Sequence, residues 1–100
     1  MAQYVVLSKF TEKGRDDIKN TSARLERLTP VADKLGVKVI ANVITMGEYD
    51  VITVFEAPND EAIAQVIGTV LARGFVTTQT MRGFSAEEFK RITDSISAVT

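Results

Sequence analysis

The chain has no cysteine, no histidine and no tryptophan, and only two prolines in 100 residues. Without Cys there is no disulfide, zinc–thiolate site, iron–sulfur cluster or thiol nucleophile. Without His there is no Ser-His-Asp triad, imidazole base or His-ligated metal or haem. Charge of one sign is also missing. Twelve basic residues face thirteen acidic ones, for a formal net charge of −1. That balance gives no overall field toward nucleic acid or an anionic membrane. No run approaches the ~18 apolar residues of a membrane span. The opening Met1-Ala2-Gln3-Tyr4-Val5-Val6-Leu7 has no basic stretch ahead of its short apolar run, so it reads as a strand rather than a signal peptide. A cytoplasmic protein is expected, and no cofactor, metal, nucleic acid or membrane partner.

What remains is an ordinary globular composition, 45% apolar and 25% charged, expected to form one domain over residues 1–100. Residues 3–10 are rich in β-branched and aromatic types and predict a first strand. Thr11 can cap a short helical piece, in which Gly14 is an awkward early residue. A second cap signal at Asn20-Thr21-Ser22 precedes Leu25, Leu28, Ala32 and Leu35, one stripe of a longer helix ending at Gly36. Pro30 inside it predicts a kink or a restart. Residues 37–46 predict a second strand, with Val37, Val39, Ala41 and Val43 on one face. Residues 51–56 predict a third, joined to it as an antiparallel hairpin through Gly47-Glu48-Tyr49-Asp50.

Asn59 or Asp60 then caps a helix whose buried stripe is Ile63, Val66, Ile67, Val70 and Leu71, closed by Gly74. Residues 75–82 predict a fourth strand. Ser85 and Glu88 match a capping box, opening a last helix with Phe89, Ile92, Ile96 and Val99 along one side.

The order β-α-β-β-α-β plus a C-terminal helix is the split βαβ, ferredoxin-like α+β pattern: a four-stranded antiparallel sheet with two helices on one face. On the first and third strands both faces are largely apolar, unlike a sheet with one wet face. Each large side chain left in water forgoes roughly 1.5–3 kcal/mol of burial. A helix of about 14 residues is ~21 Å long and ~10 Å wide, too small to roof four strands. A second copy stacking its sheet on this one is therefore expected, giving a homodimer or higher homo-oligomer with the last helix at an edge or reaching the partner.

Several landmarks together resemble the GYD domain family: the Tyr4-Val5-Val6-Leu7 strand, Phe10-Thr11 with Gly14, Ser22-Ala23-Arg24-Leu25, Gly47-Glu48-Tyr49-Asp50, Glu56-Ala57-Pro58-Asn59-Asp60-Glu61, and Thr78-Gln79-Thr80-Met81-Arg82 with Phe84. The resemblance covers most of the chain. It implies a ferredoxin-like fold related to the dimeric α/β-barrel proteins, and it implies no established activity.

Three groups of residues could carry function. Glu48, Tyr49 and Asp50 could act as acid, base or proton donor; the alternative is turn chemistry, with Gly47 at positive φ, Asp50 bonding its own backbone and the Tyr49 hydroxyl outside. Lys9, Arg15, Arg24 and Arg82 could converge on an anionic ligand, or be an ordinary charged surface. Tyr4, Ser8, Phe10, Thr53, Thr77 and Thr80 could line a pocket or simply be core and interface. Met46 and Met81 read as gap-fillers at strand ends. Gly68 to Gly74 lacks phosphate-loop spacing. Lys9, Arg24, Glu48, Tyr49, Asp50 and Arg82 are the candidate ligand-binding residues, for a small anionic or apolar molecule. The expected function is a non-catalytic homo-oligomeric module that binds such a ligand or serves as an assembly unit. The alternative is a cofactor-independent enzyme of the dimeric α/β-barrel type acting on a small enolisable or aromatic molecule.

Overall fold

The structure, a computed structural model, describes residues 1–99, and side chains as far as residue 96. Val99, expected in the apolar stripe of the last helix, lies outside the described side chains. The elements are β1 (Ala2–Phe10), α1 (Glu12–Asp16), a 3-10 turn (Ile18–Asn20), α2 (Thr21–Lys34), β2 (Lys38–Ile44), β3 (Val51–Ala57), α3 (Asp60–Arg73), β4 (Val76–Gly83) and α4 (Ala86–Val99). The strands form one sheet in the order β2-β3-β1-β4, and every neighbouring pair is antiparallel. This is the ferredoxin-like arrangement expected from the element order.

Alternation along the strands divides the residues between two faces. Tyr4, Val6 and Ser8 stand opposite Phe55, Thr53 and Val51, and all six are buried on the face beneath α2 and α3. Leu28 and Ala32 from α2, with Ala62, Ile63 and Val66 from α3, complete that core. The opposite face carries Val5 and Leu7 of β1, paired with Val54 and Ile52 of β3. These four are only half-buried, while Val43 and Met81 beside them are 53% and 39% exposed.

α4 does not cover that open face. It makes at most slight contact with the other elements, and the molecule is drawn out to 53 × 31 × 18 Å. Its apolar side remains in solvent, with Phe89 53% and Ile92 38% exposed. The capping box holds as expected: Ser85 Oγ accepts from Glu88 N at 3.1 Å, and Ser85 N donates to Glu88 Oε1 at 3.2 Å.

Four local expectations are corrected. First, Val37, Val39, Ala41 and Val43 do not share a face. A bulge at Ile40 shifts the register, so Val39 pairs with Phe55 on the helix side while Ala41 and Val43 pair with Val54 and Ile52 on the open side. One inserted residue reverses the alternation after it. Second, α2 runs unbroken through Pro30, so of the two outcomes expected there the restart does not occur. Third, the Asn20 side chain does not cap α2; it donates to Asp17 Oδ1 at 2.6 Å, while Thr21 Oγ1 donates to Ile18 O at 2.7 Å. Fourth, Met46 fills no gap, being fully exposed beyond the end of β2.

Gly14 is an obligation rather than an awkwardness. A Cβ there would lie 2.1 Å from the carbonyl oxygen of Phe75, so α1 can approach the start of β4 only with glycine at this place. Thr11 fixes the same junction. Its hydroxyl accepts from Gly14 N and donates to Gly74 O, and its N–H donates to Phe75 O.

Candidate functional site

The candidate residues fall into three places and do not converge on one. The first is the loop between β2 and β3. Gly47 adopts φ +121°, as its place in the turn requires. The Asp50 carbonyl closes the turn by accepting from Thr45 N at 2.8 Å, but its side chain does not bond the turn: the carboxylate accepts from Phe10 N at 2.8 Å, and the N–H donates to Ser8 O at 2.8 Å. These two bonds clamp the loop to the end of β1. Tyr49 is thereby laid over the rim of the open face, where its hydroxyl donates to Gln79 Oε1 at 3.1 Å and its ring sits 5.1 Å from Lys9 Nζ. Glu48 meets the same lysine at 3.7 Å, but both side chains are largely in water, so the pair contributes ~0–1 kcal/mol. The Gly47–Asp50 loop and Lys9 thus form a polar border to the apolar open face.

The second place is on the helix side. Arg24 rises from the first turn of α2 to Asp17, with Nη1 2.6 Å from Asp17 Oδ2 and 2.8 Å from the Asp17 carbonyl. Its guanidinium lies 4.4 Å from the Phe75 ring centroid, and Lys13 Nζ stands at the same distance from that ring. Arg24 also lines a cavity of about 80 Å³ between the sheet and the two main helices. Of the six residues weighed as pocket lining, Ser8 and Thr53 line it, whereas Tyr4, Phe10, Thr77 and Thr80 do not. No acidic side chain stands in its wall.

The third place is the far end of the sheet. Tyr4 is buried there, and its hydroxyl donates to Asp60 in the first turn of α3. That hydrogen bond to a carboxylate, with burial, raises the Tyr4 phenol above its usual range. The Arg82 guanidinium lies 5.9 Å from the Tyr4 ring centroid and 4.5 Å from that of Phe84, and meets Glu88 at 3.6 Å. Arg82 therefore joins β4 to the start of α4. Arg15 stands apart again, donating to Phe10 O at 3.0 Å.

Sequence reasoning missed Asp17, Asp60, Arg73 and Phe75. The partners Tyr4 and Asp60 are 56 residues apart, a pairing visible only once β1 and α3 are packed. Arg24 and Asp17 are seven apart, a spacing that helical periodicity could have suggested had the chain between them been one helix. Among the described residues no three acidic side chains gather where a metal could sit, and no helix is long and apolar enough to cross a membrane.

An α+β fold of this order, with the Gly47–Asp50 loop clamped to the end of β1, defines a ferredoxin-like protein. The GYD domain matches residues 4–93, and the chain belongs to that family. It is similar to a Thermus thermophilus protein named "Glutamine synthetase and cystathionine beta-lyase binding protein", at 28% identity over 82 residues, 81% of this chain and 86% of that protein. Among solved structures it resembles FFRP-DM1, with a TM-score of 0.58 and 19% identity, covering 84% of this chain and 100% of that one. It also resembles part of a homoserine dehydrogenase from Thiobacillus denitrificans (TM-score 0.52, 18% identity, 81% of this chain, 16% of that one). At these identities the structural likeness shows the fold alone.

Proposed function

We propose that the protein is a non-catalytic binding module that associates with itself through the open face of its sheet and attaches to other proteins, enzymes among them. The observation that carries this is the uncovered apolar face: Val5, Leu7, Ile52 and Val54 lie over the centre of the sheet, α4 leaves them uncovered, and Val43 and Met81 extend the patch to both sides. Contiguous exposed patches of this kind mark interaction surfaces. Sheet-on-sheet stacking of two copies meets the need, since two sheets pack ~10 Å apart with their side chains interdigitated. Lys9, Glu48 and Tyr49 would then rim the interface, as polar residues commonly do. The attachment to enzymes is supported by the Thermus relative, whose name describes binding to two of them.

The catalytic alternative calls for a desolvated acid beside Arg24 or Tyr49. Arg24 is instead matched by Asp17, whose side chain is 37% exposed, and the Tyr49 hydroxyl is engaged by Gln79. RNA binding on an open sheet face needs aromatic rings there; Tyr4 and Phe55, on the two central strands, are both turned to the helices and buried.

Sedimentation velocity at low micromolar concentration tests the self-association. At least a dimer is expected for the native chain, and Leu7→Glu, which places a charge in the middle of the patch, should shift it to monomer with its helical circular dichroism retained. A native chain that sediments as a monomer overturns the reading.

A further inference from the structure

The cavity beneath α2 and α3 changes character along its length. Its inner end is apolar, formed by Val6, Leu28, Phe55 and Ile67. Its outer end lies where β1 finishes and β4 begins, and there Ser8 and Thr78 face one another across the ladder. Ser8 is only 7% exposed, and neither hydroxyl engages a described residue. Among the described residues no buried side-chain oxygen or nitrogen lacks a partner, so these two hydroxyls open onto the cavity itself and are available to hydrogen-bond an occupant. Two arginines complete it, Arg24 from the start of α2 and Arg73 from the end of α3. Arg24 is already matched in charge by Asp17. Arg73 has no acidic partner among the described residues and supplies one surplus positive charge.

We propose that this cavity binds a short-chain aliphatic monocarboxylate, with the carboxylate toward Arg73 and the hydroxyls of Ser8 and Thr78 and the hydrocarbon tail toward Phe55. The volume of about 80 Å³ sets the size. It exceeds the ~10–15 Å³ that one water needs and falls well short of the ~300–1,000 Å³ of sites for drug-sized molecules. A guanidinium offers paired donors in the geometry a carboxylate accepts. A free amino acid fits poorly, because no acidic side chain in the wall would balance its ammonium group. The cavity lies on the opposite side of the sheet from the apolar open face, so this assignment stands independently of self-association.

The experiment is an amide-resolved NMR titration of the full chain with 3-methylbutanoate up to ~10 mM, beside its neutral isostere 3-methylbutanamide and the zwitterion leucine. Saturable shifts are expected at Ser8, Phe55 and Thr78, with the amide and leucine each at least ~10-fold weaker than the acid. Arg73→Gln should lower the acid's affinity about tenfold, and Arg73→Lys, which keeps the charge but loses the paired donors, should fall between the native chain and Arg73→Gln. The proposal is overturned by an absence of saturable shifts at these residues, by equal binding of acid and amide, or by undiminished affinity in a folded Arg73→Gln. The comparison of acid with amide uses the native chain alone, so it decides even if the variants fold poorly. Sedimentation of the same samples reads the oligomeric state separately.

Discussion

The Tyr4 hydroxyl donates to the Asp60 carboxylate, tying the first strand to the first turn of α3 across 56 residues. The bond needs the phenol protonated, and it raises the Tyr4 pKa above its ordinary ~10. A raised folded-state value gives stability that is fully present below the unfolded pKa. It is lost as pH climbs from ~10 through the folded value. Tyr4→Phe removes this dependence. Urea midpoints measured from neutral to strongly alkaline pH should fall for the native chain above ~10, and the difference between native and Tyr4→Phe should close there.

Glu88 has the opposite sign. The Ser85 backbone N–H, helped by the Ser85 hydroxyl and Arg82, holds its carboxyl below the usual range against the opposing effect of burial. A lowered folded-state value gives stability present above the unfolded pKa of ~4.3 and lost as pH falls through the folded one. Acid should therefore loosen the start of α4 before the sheet. Amide protection factors of residues 86–90, corrected for the intrinsic exchange rate, should fall below ~pH 4, and Glu88→Gln should show that lower protection already at neutral pH.

Gly14→Ala puts a methyl group where the Phe75 carbonyl oxygen lies 2.1 Å away. Both neighbours are backbone-fixed, so a loss of ~1–3 kcal/mol is expected in chemical denaturation. Gly68→Ala is the matched control, since nothing lies within 4 Å of its Cβ and it sits inside α3. Helix propensity predicts a gain of roughly 0.5–1 kcal/mol there.

Asp50→Ala strips the Phe10 N–H of its acceptor. The expected cost is ~1–3 kcal/mol, the penalty for a backbone donor left without a partner. Asp50→Asn keeps an acceptor oxygen and should cost less. The same variants should quench the order of Tyr49, read as faster exchange across residues 45–50.

The element order and the unequal supply of helices were legible because they rest on local signals. Thr11, Ser85 and Asn59 each bond the backbone three residues on, and each strand shows a run of β-formers. The reversal at Ile40 was not legible, since a continuous Val-Ile-Ala-Asn-Val run carries no mark of an inserted residue. Nor was the role of Asp50. Its partners sit at the end of β1, 40 residues away, and only the closed sheet brings them near. The charged candidates separate for the same reason. Lys9 and Arg24 both lie near the end of β1 but on opposite sides of the sheet, a distinction set by strand parity and packing rather than residue type.

The inserted residue in β2 bears on how molecules of this protein meet. β2 is an outer strand, and its irregular ladder together with Lys38 makes it a poor template for another chain's backbone. The route by which ferredoxin-like sheets could grow without end, strand added to strand, is therefore discouraged on that flank.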